Sequence, residues 1–227
     1  MDTVFWTLSS PESTAHHAWW NDDEVDLERI ICSLDDGHQR AGKRLTNLSV
    51  LLPRKDVQDF VWTWYSECLI QDRVLKLFRE HDLTGYEVKP VNARFKARTA
   101  EEPPRLWEVI VTGWGGVAPE ESGVRLRENC PACGYLDYGG PVDYSLLISE
   151  TQWDGSDFFI VWPFPRIIFV TDRVAGIITR HELKGLQLDR PEDLRFARIA
   201  EGAAPGRLSY WMPDERAREL GEPLGIY

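Results

Sequence analysis

At 227 residues, with 43% hydrophobic and 28% charged residues, the chain can bury a core without disulfide support, and a disordered or fibrous class is excluded. A formal net charge of −11 repels phosphate backbones and disfavours nucleic acid as a partner, while favouring encounter with a basic protein. Ten Trp is a high count, and indoles are enriched at binding hot spots.

The chain opens on Met1, Asp2 and Thr3 with neither a basic nor an apolar leader, and the apolar run near Phe158 is cut by Pro163 and Pro165. No export signal or membrane span is expected. Four unevenly spaced Cys read as reduced thiols in a cytoplasm rather than a disulfide framework. Residues 1 to 24 stand apart as an extension, in which Trp19 and Trp20 are followed by Asp22, Asp23 and Glu24. Paired indoles beside acids suit a partner-binding surface, although rings capping the core would give the same pattern.

Sliding the sequence against itself by about 100 residues reveals a repeat. Val61 and Trp62 fall on Val161 and Trp162, Asp72 to Val74 on Asp172 to Val174, and His81, Leu83 and Gly85 on His181, Leu183 and Gly185, with no gap required. Each copy reads as strand, helix, strand. Ile167 to Val170 is a β-branched and aromatic run of strand length, and Thr171 or Asp172 suits a helix N-cap. Val174, Ile177, Ile178 and His181 recur at helical spacing, and Gly185 is expected to end the helix. In the first copy Val74, Leu75, Leu77, Phe78 and His81 precede Gly85, with Tyr86 and Val88 alternating beyond it. His81 and His181 are expected to be helix-end residues, and Asp72 and Asp172 helix-start residues. Trp107 to Thr112 suggests a further strand, with Leu208 to Met212 as its counterpart, and Gly113 to Gly116 a turn. Cys68 lies in an apolar segment and reads as a small buried hydrophobe.

The expected fold class is therefore α+β, with two tandem, internally duplicated strand-helix-strand halves packed as one compact unit. Val117 to Gly123 is the expected joint, giving an N-terminal half of residues 1–120 and a C-terminal half of residues 121–227.

Cys130, Pro131, Ala132, Cys133 and Gly134 form a CPxCG knuckle, whose two thiolates could chelate one zinc. Near the matching place in the N-terminal half, residues 32–37 form a degenerate knuckle. Cys32 holds the first-ligand position, Asp35 stands where a second Cys would be, and His38 is close enough to substitute. A structural zinc site of Cys32, Cys130, Cys133 and either Asp35 or His38 would clamp the halves together, whereas a vestigial turn with reduced thiols is the alternative. The sequence carries no GxSxG, HExxH or GxxxxGK signature, so binding is expected rather than catalysis.

From Cys130 to about Leu188 the chain resembles a family of immunity proteins from myxobacterial toxin systems, named for a double CxxCG motif. The resemblance is carried by the CPACG knuckle, then Asp157, Phe158 and Phe159, Pro165, Ile167 to Val170, Thr171 to Val174, and Leu183, Lys184 and Gly185. Its first CxxCG departs from the family pattern, with only Cys32 left. The resemblance implies a cytoplasmic inhibitor that binds a cognate protein toxin, encoded by an adjacent gene. Trp153, Asp154, Asp157 and Phe158, before the repeated strand, offer a second candidate surface. A zinc-ribbon-like adaptor and an unrecognised hydrolase are the other classes weighed.

Overall fold

The computed structural model describes residues 3–140, 143–194 and 205–227. In chain order its strands are β1 Phe5–Ser9, β2 Trp19–Trp20, β3 Leu27–Ile30, β4 Arg40–Arg44, β5 Ser49–Leu52, β6 Phe60–Trp62, β7 Cys68–Gln71, β8 Tyr86–Pro90, β9 Asn92–Phe95, β10 Leu106–Val111, β11 Gly113–Val117, β12 Arg125–Asn129, β13 Leu136–Gly139, β14 Phe158–Trp162, β15 Ile168–Thr171 and β16 Gln187–Asp189. The helices are α1 Asp72–Glu80, α2 Asp172–Arg180 and α3 Asp214–Gly221. The fold is α+β. Among the described residues, no helix is long and apolar enough to cross a membrane.

Two sheets share one plan. One has the order β6-β7-β10-β8, the other β11-β14-β15-β1-β16. β1 lies antiparallel between β15 and β16, as β10 does between β7 and β8. The registers agree: Trp6 faces Val170 and Thr7 faces Asp189, while Trp107 faces Ile70 and Glu108 faces Lys89. The counterpart of the Trp107 strand is thus β1, drawn from the N-terminal segment expected to stand outside the repeat. Phe5 and Leu8 explain its recruitment, since both side chains are buried in the main core and each contributes roughly 2 kcal/mol there. Leu208–Tyr210, expected as part of the counterpart strand, is instead a 3-10 turn. Strands from both sides of position 120 share the five-stranded sheet.

The glycine-rich segment expected as a turn is strand β11, which runs parallel to β14. Its glycines admit the neighbouring strand closely, since a Cβ at Gly115 would lie 2.6 Å from the Phe159 ring.

The gapless register also needs one correction. Phe60 pairs with Ile70, but Phe158 pairs with Val170. The second hairpin therefore holds two more residues, and Phe158, rather than Ile160, is the structural match of Phe60.

Helices α1 and α2 each bury one face, through Val74, Leu75 and Phe78 and through Val174, Ala175, Ile177 and Ile178. Both end before the glycines expected to stop them. Asp82 at φ 46° and Glu182 at φ 49° adopt the left-handed conformation, and the N–H groups of Leu83 and Leu183 return to the carbonyls of Phe78 and Ile178, which is a Schellman ending. Gly85 and Gly185 serve a different purpose. Each has positive φ, and a Cβ there would lie 2.0 Å from the Phe158 carbonyl oxygen and 2.1 Å from that of Phe60, respectively. The loop after each helix thus presses on the first strand of the other unit, which only glycine permits. At the helix ends His81 and His181 meet edge to face, with centroids 6.0 Å apart.

Reciprocal polar contacts lock this junction. Phe60 N–H donates to the Lys184 carbonyl and Phe158 N–H to that of Thr84. Asp59 pairs with Arg73 of its own unit and accepts the Lys184 N–H of the other at 2.8 Å. Asp157 pairs with Arg173 at 3.2 Å and accepts the Thr84 N–H at 3.0 Å. A smaller sheet, β2-β5-β9, covers a second core of Ala18, Leu48, Val50, Leu52, Val61, Leu69 and Leu106. Two hairpins, β3–β4 and β12–β13, complete the molecule.

Candidate metal centre

The tips of the two hairpins meet. In β12–β13, Asn129 pairs with Leu136, leaving a short tip in which the Gly134 N–H reaches the Cys130 carbonyl at 2.9 Å. Gly134 takes φ 65° and lets both cysteines face one point. In β3–β4 the tip between Ile30 and Arg40 is longer and contains a 3-10 turn, Asp36–His38. Asp35 caps that turn by accepting the Gly37 N–H at 2.7 Å. The turn swings His38 back beside Cys32, with 3.8 Å between Nδ1 and Sγ.

Cys32, His38, Cys130 and Cys133 thus form a cluster that could hold a metal ion, their ligand atoms all within 4.8 Å of one another. The donor spacing tests the fit. Two sulfurs about 2.3 Å from a tetrahedral zinc stand about 3.8 Å apart, and Cys32 Sγ lies 3.6 Å from Cys130 Sγ. Cys32, His38 and Cys130 are buried and Cys133 half-buried, as a closed structural site requires. Between the two fourth ligands left open by the sequence, the geometry selects His38; Asp35 stays outside the donor set as a turn cap.

Surrounding side chains orient these donors. His38 Nε2 stands 3.0 Å from Glu128 Oε1, so the ε N–H is directed to the carboxylate and Nδ1 to the sulfurs. The Tyr135 ring stacks on the imidazole at 4.3 Å. Arg40 donates to Cys133 Sγ at 3.5 Å, to the Cys133 carbonyl at 3.1 Å and to the His38 carbonyl at 2.9 Å. Burial opposes thiolate formation at Cys133, but hydrogen bonds from Arg40, the Tyr135 N–H and the neighbouring thiols outweigh it and bring the group down to about 6. Cys130 is lowered by the N–H groups of Cys133 and Ala132, and the hydrogen bond to Cys130 raises His38. Glu128, Tyr135 and Arg40 are not legible as site residues, because only the hairpin register brings them to the tips.

The expected partner-binding residues separate into two groups. Trp19 is 46% exposed, and Asp22 and Asp23 are exposed on a 3-10 turn. Trp20 is half-buried, donating its indole N–H to Glu67 at 3.2 Å. Glu24 is occupied by Ser49 at 2.7 Å and Arg94 at 2.8 Å. The second candidate surface is structural. Trp153 packs edge to face on Phe5 at 5.1 Å, Asp154 pairs with Arg216 at 2.8 Å, Asp157 is the buried clasp described above, and Phe158 is wholly buried in the core.

Trp64 and Tyr65, in the β6–β7 turn, are surface residues that sequence reasoning missed. They are 47% and 50% exposed. Trp64 lies 5.2 Å from Trp19, and Tyr65 lies 4.3 Å from Trp20, between ring centroids. The rings meet as two pairs from segments about 45 residues apart in sequence, and the exposed Trp19, Trp64 and Tyr65 make up an aromatic ledge. Their signal is the tight turn Trp64-Tyr65-Ser66 between two apolar strands, where side chains must point outward.

Comparison of the sequence with models of known protein families and with curated proteins returned no match.

Proposed function

We propose that this chain is a cytoplasmic immunity protein that neutralises a cognate bacterial toxin by binding it, and that a structural zinc ion braces its two hairpins. The observation that carries the binding role is the ledge of Trp19, Trp64 and Tyr65. Large rings left in water on a folded scaffold cost solvation that a partner recovers, and indoles are the commonest anchors of tight interfaces. The resemblance of residues 130–188 to immunity proteins supports the same reading.

Zinc is the metal that a Cys3His set of borderline-soft donors at tetrahedral spacing favours. Cys32 and His38 would hold it from one tip and Cys130 and Cys133 from the other. Bound there, it would contribute cross-linking rather than catalysis, because protein donors fill all four positions. The role is binding, with no reaction step assigned to any residue.

A zinc-ribbon-like adaptor is the second reading, favoured by the paired hairpins alone; the net charge of −11 weighs against nucleic acid as its target. Coexpression with the toxin encoded by the adjacent gene decides between them. Rescue of growth with copurification supports immunity, and a fully toxic partner that neither binds nor is relieved removes that reading.

A further inference from the structure

Behind the Trp20–Tyr65 end of the ledge lies a cavity of about 520 Å³, and its charge runs against that of the molecule. The chain carries 37 Asp and Glu against 26 Lys and Arg, yet Arg40, Lys43, Arg44, Lys89 and Arg166 line this cavity with only Glu67 and Glu108 opposing them. Arg44 is neutralised by Glu108, and Lys43 pairs with Asp214. Arg40, Lys89 and Arg166 make no salt bridge to a carboxylate among the described residues, although Arg40 donates to the Cys133 sulfur. Arg40 has a buried Nε without a hydrogen-bond partner. Arg166 donates to the Tyr65 carbonyl and lies 4.9 Å above the Trp211 ring. Glu67, held by the Trp20 indole and the Thr63 hydroxyl, offsets part of the Arg166 charge.

The remaining wall is apolar and aromatic. Val109, Val111, Ile160, Ile168 and Met212 form one part, and the rings of Trp20, Tyr65, Tyr210 and Trp211 another. A concave, largely apolar space with a few convergent cations in excess of its acids is the composition expected of a small-ligand site. A guanidinium and a flat ring together select a planar, anionic ligand, the guanidinium for its charge and the rings for its face.

We propose that this cavity binds a small organic anion built on a planar ring, such as an aromatic carboxylate or a nucleoside monophosphate. The cavity shares Trp20 and Tyr65 with the ledge and is reached from the metal centre by Arg40, which spans from the Cys133 carbonyl to the cavity wall, but the ligand is read without toxin or metal.

The test is a titration of the purified protein followed by tryptophan fluorescence, since Trp20 and Trp211 both line the space. Benzoate, adenosine monophosphate and inorganic phosphate serve as probes. At least one ring-bearing anion is expected to bind saturably, and more tightly than phosphate. Lys89→Gln is expected to weaken it by about tenfold, the loss of about 1.4 kcal/mol of binding, while Lys76→Gln, on the exposed face of α1, leaves it unchanged. Arg166→Gln provides a second cavity variant, with thermal unfolding of each variant confirming its fold. The proposal is overturned if no ring-bearing anion binds saturably, if phosphate binds as tightly as the ring-bearing anions, or if both cavity variants bind like the parent.

Discussion

Trp6 and Trp107 lie on different strands of different sheets and make the same contact. The Trp6 indole donates to Asp172 at 3.0 Å and the Trp107 indole to Asp72 at 2.6 Å. Each aspartate is the first residue of a helix, so each indole ties the central strand of its unit to the start of the helix that covers it. Asp72 and Asp172 favour that place through the positive end of the helix, and the indole N–H orients their carboxylates there.

Matching contacts predict matching costs. Trp6→Phe and Trp107→Phe are each expected to lower stability by about 1 kcal/mol, the value of one partly exposed hydrogen bond. Phe5→Ala is expected to cost more, about 3 kcal/mol, because it opens a cavity against Trp153 and Phe159. Urea unfolding measures all three. A neutral Phe5→Ala would mean that β1 is not the strand that completes the second sheet.

Asp59 predicts an acid-sensitive junction. At Asp59, burial favours the neutral acid, but the Arg73 guanidinium and the Lys184 N–H outweigh it and hold the carboxyl below its ordinary value. A depressed folded value contributes stability that is complete above the unfolded aspartate value, near about 4, and is lost as pH falls through the folded one. Asp59→Asn is expected to cost about 2 kcal/mol at neutral pH, a figure discounted for the exposed Arg73, and to flatten the stability profile below about pH 4. Unfolding measured across the acid range up to neutral pH checks this; an unchanged acid limb would contradict it. Asp157→Asn is expected to match it at neutral pH, since Arg173 and the Thr84 N–H would lose the same kind of partner.

The hairpin tips predict one metal per chain and a definite ligand set. Cys130→Ser and His38→Gln are expected to abolish stoichiometric zinc and lower the unfolding temperature, and a strong chelator should do the same to the parent protein. Asp35→Asn should retain the metal, as Asp35 caps a turn and stands 3.7 Å from His38 Nε2 without joining the donors. Cys68→Ala should retain it too, because Cys68 lies buried in β7, where burial and then Glu108 keep its thiol protonated. Metal analysis of the purified variants reads each outcome. Loss of zinc from Asp35→Asn with full retention in His38→Gln would reverse the assignment.

Much of this architecture is legible in the sequence, and the omissions share a cause. The helices at Asp72 and Asp172, the strands beside them and the cysteine tips are marked by local signals: apolar spacing, a start residue and a knuckle. Strand β1 is not, since five residues reading Phe-Trp-Thr-Leu-Ser gain their meaning only from β15 and β16, more than 150 residues away. Asp157 misleads for the same reason. Beside aromatic residues it looks like a surface acid, and only the approach of Thr84 from the other unit makes it a clasp. The choice of His38 over Asp35 depends on the 3-10 turn, which reverses the direction of a side chain without changing its spacing in sequence.

The central claim is that the aromatic ledge binds the toxin, and calorimetric titration of the purified protein with its cognate toxin tests it most directly. The account predicts a stoichiometric complex that Trp19→Ala and Trp64→Ala each weaken by about 2 kcal/mol, roughly thirtyfold, with unfolding temperatures unchanged. Absence of a complex with an active toxin, or a complex that both substitutions leave untouched, would contradict it.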